Sequence, residues 1–230
     1  MPTTVINASK TGQCIGQSST TFATARQTGN SVTANPSTTV DRAISYTASS
    51  GRGALTHAMR RVFYYFDTSA VTGTVSSSLL KIRGVTNNSA DVIVLKSTAF
   101  GGNGSSNLAT SDFFSTIDYS TAYSSEYDSW TATGDNLISL NSTANTDIQN
   151  NDAFIFAIVQ HTNDFGNTAA GSATTDEAGI HFGVTATLTV AEASSGRSVG
   201  RIGKYTKDQV ARFDKYSLAD IASINGVDIG

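Results

Sequence analysis

The run Ala153-Phe154-Ile155-Phe156-Ala157-Ile158-Val159 is apolar at every position, and so, apart from its charged ends, is Arg61-Val62-Phe63-Tyr64-Tyr65-Phe66-Asp67. Both are short and rich in β-branched and aromatic side chains, which suits strands better than helices. A strand of this kind has no polar face to offer water, so each must lie centrally in a sheet covered on both sides. Other segments alternate. In Ser78-Leu79-Leu80-Lys81-Ile82-Arg83-Gly84, Leu80 and Ile82 face one way and Lys81 and Arg83 the other, as a half-buried strand requires. From Ile180 to Val190 every second residue is apolar, which predicts one long strand with one face on a core. Asp91-Val92-Ile93-Val94-Leu95-Lys96 predicts a further strand. The first sixty residues read as strands broken by Gly, Asn and Ser turns.

The intervening segments are of turn and loop type. Thr68 to Val75 is a polar connection, and Gly101-Gly102-Asn103-Gly104-Ser105-Ser106-Asn107 is a surface loop. Thr110-Ser111-Asp112-Phe113-Phe114 opens a short helix with Thr110 or Ser111 as its cap. Tyr119 to Trp130 is a long, partly covered loop, and Asn163 to Glu177 a polar one. Ser and Thr together make up about a quarter of the 230 residues, far above ordinary usage, and charged residues only 14%. With two prolines and no long Ala-, Leu-, Glu- and Lys-rich stretch, this composition predicts an all-β antiparallel sandwich and argues against an α/β enzyme fold.

At Ser194-Ser195-Gly196 the composition shifts, which divides the chain into a sandwich domain, 1–195, and a C-terminal arm, 196–230. Arg197 to Gly230 holds Arg197, Arg201, Lys204, Lys207, Arg212 and Lys215 against Asp208, Asp214, Asp220 and Asp228, a net +2 in a chain whose formal charge is −3. Thr206-Lys207-Asp208-Gln209 and Ser217-Leu218-Ala219-Asp220 fit capping boxes for helices of a turn or two, and Val227 and Ile229 beyond Asn225-Gly226 predict a terminal strand. Helices so short do not persist alone. The arm's apolar residues, Val210, Phe213, Leu218, Ile221, Ile224, Val227 and Ile229, are therefore the candidate partner-binding set, docking on their own sandwich or on a neighbour.

Candidate chemistry is sparse. His57, His161 and His181 are not spaced for joint use on one element. His181 reads as a surface or interface histidine, and His161 as making a turn contact near Asp164. Cys14, the single cysteine, reads as a small buried apolar residue, and its solitude removes intrachain disulfides and Cys-rich zinc sites. Asp112, Asp118, Asp128, Asp135 and Asp164 are available to a structural calcium, but none falls in the dense spacing of a calcium loop. No catalytic residue, metal or cofactor is expected, nor binding to nucleic acid. Met1 to Lys10 lacks the basic-then-apolar pattern of a secretory signal and no segment is long enough for a membrane span, so synthesis in a cytoplasm is expected. Tyr119, Tyr123, Tyr127 and Trp130 are the candidate glycan-stacking set; the alternative is that they cover the edge of the core.

The stretch Val62-Phe63-Tyr64-Tyr65-Phe66-Asp67-Thr68-Ser69-Ala70-Val71, followed by Thr74-Val75-Ser76-Ser77-Ser78-Leu79-Leu80-Lys81-Ile82 and later by Gly179-Ile180-His181-Phe182, resembles DNRLRE-type and carbohydrate-binding-module-like jelly rolls, without the DNRLRE segment itself. Ser217 to Val227 is similar to short tails on virion proteins of tailed phages, particularly marine and cyanobacterial ones. These resemblances imply a jelly-roll sandwich with an attachment arm. They imply a virion structural protein rather than an enzyme: a capsid decoration or cement subunit first, a neck or tail component or a host-glycan-binding module otherwise. The partners implied are other virion proteins and copies of the same chain in a closed oligomer, trimers included.

Overall fold

The computed structural model describes residues 2–28, 32–35, 41–50, 54–193, 223–224 and 227–228. The chain divides into two compact units, Met1–Ala193 and Ser194–Gly230. Every strand pairing in the first unit is antiparallel, and the fold is a jelly-roll-like β-sandwich.

In chain order the first unit runs β1 (Thr3–Asn7), β2 (Lys10–Ser19), α1 (Phe22–Gln27), β3 (Val32–Asn35), β4 (Arg42–Ser50), β5 (Leu55–Asp67), β6 (Val75–Asn88), β7 (Val92–Ser97), β8 (Ile117–Ala122), β9 (Asp135–Leu140), α2 (Ser142–Asn150), β10 (Ala153–Gln160), β11 (Thr174–Ile180) and β12 (Thr187–Glu192). Single 3₁₀ turns occupy Phe100–Gly102 and Thr110–Phe113, and a π-type turn occupies His161–Phe165. The first sheet has the order β1-β12-β6-β9. The second holds β11, β4, β5, β10, β7 and β8, with β2 on the other edge of β5 and β3 beyond β2. Strand β6 belongs to both: its first half pairs with β12 and β9, and Gly84 to Asn88 pair with β11.

Alternation of side chains sorts the two apolar runs into two cores. Val62, Tyr64, Phe66, Phe154, Phe156 and Ile158 enter the core between the sheets, where they meet Leu80, Ile82, Ile138, Leu188 and Val190. Met59, Phe63, Ile155, Ala157 and Val159 point the opposite way, into a second core with Cys14, Phe100, Leu108 and Phe113. Both runs are therefore covered on both faces, as expected. The covering on the far face was not expected: it is a third layer built from α1, the 3₁₀ turns and the loops beside them. The surface loop at 101–107 is exposed as expected, but Gly104 (φ +78°) lies against the Tyr65 ring so closely that a Cβ would collide with it.

Several boundaries differ from expectation. Strand β5 begins at Leu55, six residues before its apolar run, because its first half is paired by β4 on one edge and β2 on the other. The stretch Ile180–Val190 is not one strand. It ends β11 in the second sheet, turns at His181–Val184 through a 3.1 Å Val184 N–H to His181 carbonyl bond, and resumes as β12 in the first sheet. The apolar side chains still face inward except Val184, which is 44% exposed, so the alternation persists through a crossing between layers. The polar loop ends at Ala173, since Thr174 to Glu177 pair with Thr47, Ala48 and their neighbours in β4. Tyr119 lies on a strand, β8, and only the segment after Ala122 is loop.

The turn at Thr110–Phe113 is capped one residue earlier than expected, where the Asp112 carboxylate accepts the Ala109 N–H at 2.9 Å. Helix α2 was not anticipated: Ser, Thr and Asn are weak helix formers. The Asn141 side chain caps it by accepting the Ala144 N–H at 3.1 Å, and wholly buried Ala144 and Ile148, four residues apart, hold one face on the inter-sheet core.

In the second unit, β13 (Ser223–Ile224) pairs with β14 (Val227–Asp228) as a short antiparallel ladder. The Asn225-Gly226 pair between them is the sequence a two-residue hairpin turn favours. The two short arm helices expected near Thr206 and Ser217, and the docking residues Val210, Phe213, Leu218, Ile221 and Ile229, lie outside the described residues.

Candidate functional site

The most heavily engaged polar group of the first unit is Arg61. One edge of β5 carries β4 up to Arg60 and β10 from Val62 onward, so Arg61 sits where one partner strand hands over to the next. Its side chain, wholly buried, enters the second core. Nε donates to Asp164 Oδ2 at 2.6 Å and Nη2 to Asp164 Oδ1 at 2.9 Å, a two-point guanidinium–carboxylate pair. Nη2 also donates to the Arg26 carbonyl at 2.6 Å and Nη1 to the Phe113 carbonyl, and the guanidinium lies 4.1 Å from the centre of the Phe113 ring. Asp164 Oδ1 in turn accepts the Tyr119 hydroxyl at 2.8 Å, while Arg26 Nε donates to the Asp164 carbonyl at 2.7 Å. Burial, the largest single influence, lowers the Arg61 pKa, but the Asp164 charge, the Tyr119 hydroxyl and the hydrogen bond to Asp164 together outweigh it and the pKa is raised, so the guanidinium remains a cation. Burial, seconded by the Asp164 charge, raises the Tyr119 hydroxyl well above its ordinary value, which keeps it a donor. The donors and acceptors of Arg61, Asp164 and Tyr119 named here all face other protein groups. The network's role is to fasten α1, the Thr110–Phe113 turn, β8 and the His161–Phe165 turn onto β5.

The other candidate residues divide between the cores and the surface. Cys14 is buried, as expected, and burial pushes its thiol up to about 12, so it carries no thiolate near neutral pH. His57 is also buried, its Nδ1 2.8 Å from the Tyr46 hydroxyl. His181 is partly exposed and pairs with Asp41 at 2.5 Å. His161 opens the turn that contains Asp164: its carbonyl accepts the Gly166 N–H at 2.8 Å, its ring stacks on Phe165, and its Nδ1 lies 3.3 Å from Glu126 Oε1, while Asp164 itself is committed to Arg61.

The five aspartates considered for calcium are dispersed, each with a local partner: Asp112 at its turn, Asp118 with Ser120, Asp128 with Ser129, Asp135 beside Lys81 and Arg83, and Asp164 with Arg61. A different set, Asp91, Glu126 and His161, brings three donor atoms within 4.8 Å of one another. No spacing in the sequence marks this set, because the three residues come from three separate segments. Asp176 lies in the same neighbourhood, its carboxyl raised above the usual range by burial and then by the Asp91 charge.

The four aromatic residues do not share a face. Tyr123 and Trp130 are 1% and 3% exposed in the inter-sheet core, where Tyr127 packs beside them with its ring edge-on to Trp130 at 6.3 Å. Tyr119 belongs to the core on the other side of the sheet. The four rings thus pack on two cores and do not form one shared face. Tyr123 also donates its hydroxyl to Asp147, which accepts Lys96 Nζ at 2.8 Å as well. The trio lines an open polar pocket of about 440 Å³ together with Asn150, Asn151 and Asp152. Lys96 and Asp147 compensate each other, and Asp152 leaves the lining with one net negative charge.

No helix among the described residues is long and apolar enough to cross a membrane. No protein-family model matches the chain, and no curated protein matches it either.

Proposed function

We propose that this protein is a structural component of a bacteriophage particle, a decoration or cement subunit of the capsid, held on its neighbours by the C-terminal unit. The observation that carries the reading is the division of the chain at Ala193: a sandwich with two cores of its own, followed by Ser194–Gly230, net basic and rich in apolar residues spaced for short elements. Two further features support it. The buried charged groups of the sandwich are committed to holding layers together, and the C-terminal segment resembles the attachment tails of virion proteins. The protein is then made in the host cytoplasm and resides in the virion, in contact with capsid proteins and further copies of itself.

Deletion of Arg197–Gly230 tests this directly. Particles assembled with the truncated protein lose it on gradient purification, while the truncated protein keeps the far-UV circular dichroism of a folded β domain. Incorporation at the full-length level defeats the proposal.

A further inference from the structure

The geometry assigns to Asp91, Glu126 and His161 a binding site for one divalent transition-metal ion, with Zn²⁺ as the ion the donors fit best. Asp91 stands immediately before β7, Glu126 in the loop after β8, and His161 immediately after β10. The backbone fixes all three. Val92 and Tyr127 exchange N–H to carbonyl bonds of 3.0 and 2.8 Å in an antiparallel bridge, which puts the residues before them, Asp91 and Glu126, on one face, diagonally across it. The His161 N–H donates to the Asp91 carbonyl at 2.8 Å, which closes the third side.

The side chains carry the marks of ligands held from behind. The Asp91 carboxylate accepts the Thr162 N–H at 3.0 Å and the Thr162 hydroxyl on Oδ2, and the Gln160 amide on Oδ1, so its rotamer is set before any ion arrives. The His161 ring is steadied by Phe165, whose plane lies 22° from its own. Its Nδ1 is buried without a hydrogen-bond partner among the described residues, although Glu126 Oε1 is only 3.3 Å away. Two donors on one tetrahedral zinc stand roughly 3.4 Å apart, given metal–ligand bonds of about 2.0–2.1 Å. The spacing of imidazole and carboxylate is thus that of co-ligands. Two carboxylates with one imidazole favour zinc and its first-row neighbours over calcium, which takes an all-oxygen shell. Glu126 is exposed, so the remaining positions are open to water. An ion here would clamp the loop bearing Tyr127 and Trp130 to the ends of two central strands.

The test is calorimetric titration of the full-length, chelator-treated protein with Zn²⁺ and, separately, Ca²⁺. One Zn²⁺ binds per chain, and at 100-fold excess over Kd the midpoint of thermal unfolding rises by at least about 3 °C. His161→Gln and Glu126→Gln each weaken Zn²⁺ binding at least tenfold while leaving the metal-free unfolding midpoint in place; His181→Gln leaves binding unchanged. Absence of both heat and thermal shift at millimolar Zn²⁺, binding that survives both substitutions, or tighter binding of Ca²⁺ than of Zn²⁺ overturns the assignment.

Discussion

At the scale of single residues, the side chain that most repays attention is Arg61. A guanidinium with no exposure is stable only while its partners remain, so its removal leaves the Asp164 carboxylate buried with one of its strongest donors gone. Arg61→Met is expected to lower unfolding free energy by about 3–5 kcal/mol. Arg61→Met and Asp164→Asn combined are expected to cost less than their sum, with a coupling of about 1–3 kcal/mol in a urea-denaturation cycle. Strict additivity would mean that the two residues do not act as a unit. The sequence shows the arginine at the head of an apolar run, where a charge is out of place, but not its counter-ion. Asp164 is 103 residues away, inside a segment that reads as polar loop. Such pairs are fixed by tertiary approach and leave no local periodicity. The same holds for Asp91, Glu126 and His161.

At the scale of elements, strands with strong patterns were legible and the short helices were not. Val62–Phe66 and Ala153–Val159 announce burial on both faces because every residue is apolar. The segment Ser142–Asn150 announces nothing, since its two apolar residues become a helical face only once a core exists to receive them. Ile180–Val190 shows the limit of periodicity, which records burial and is silent about a turn that keeps the same parity. Helix α2 also carries a pH-dependent anchor, Asp147. Burial pushes its carboxyl up, but hydrogen bonds from Lys96, Tyr123 and Asn151 together with the Lys96 charge outweigh this and hold it below the usual range. A carboxyl depressed by folding contributes stability that is present above the unfolded value of about 3.9 and is lost as pH falls through the folded value. Asp147→Asn should therefore be less stable than the native protein at pH 7, with the gap closing below about pH 4. Urea midpoints at pH 7 and pH 3 measure this, and a gap unchanged between the two would show that the ionised carboxylate is not the stabilising form.

At the scale of the whole molecule, the sandwich unit carries two cores of its own. Two cores share one sheet, so the first unit needs no outside surface to complete its burial. The chain ending at Ala193 is expected to unfold in a single cooperative urea transition, coincident by tryptophan fluorescence and circular dichroism, because Trp130, the one tryptophan, reports from the inter-sheet core. Separated transitions would show that the two cores do not act together. The compositional break near Ser194 was legible in the sequence. A partner for the arm is not legible there, because docking depends on a surface that the arm's own sequence does not encode.

The covered sheet has a consequence for how such a protein can change. The outer face of the first sheet carries rows such as Val5, Thr189, Leu79 and Ser139, then Asn7, Thr187, Lys81 and Leu137, in register across its four strands. Of those side chains only Lys81 is charged, and none belongs to either core. Mutational drift can rewrite that face freely, altering what the molecule meets while leaving untouched what holds it up.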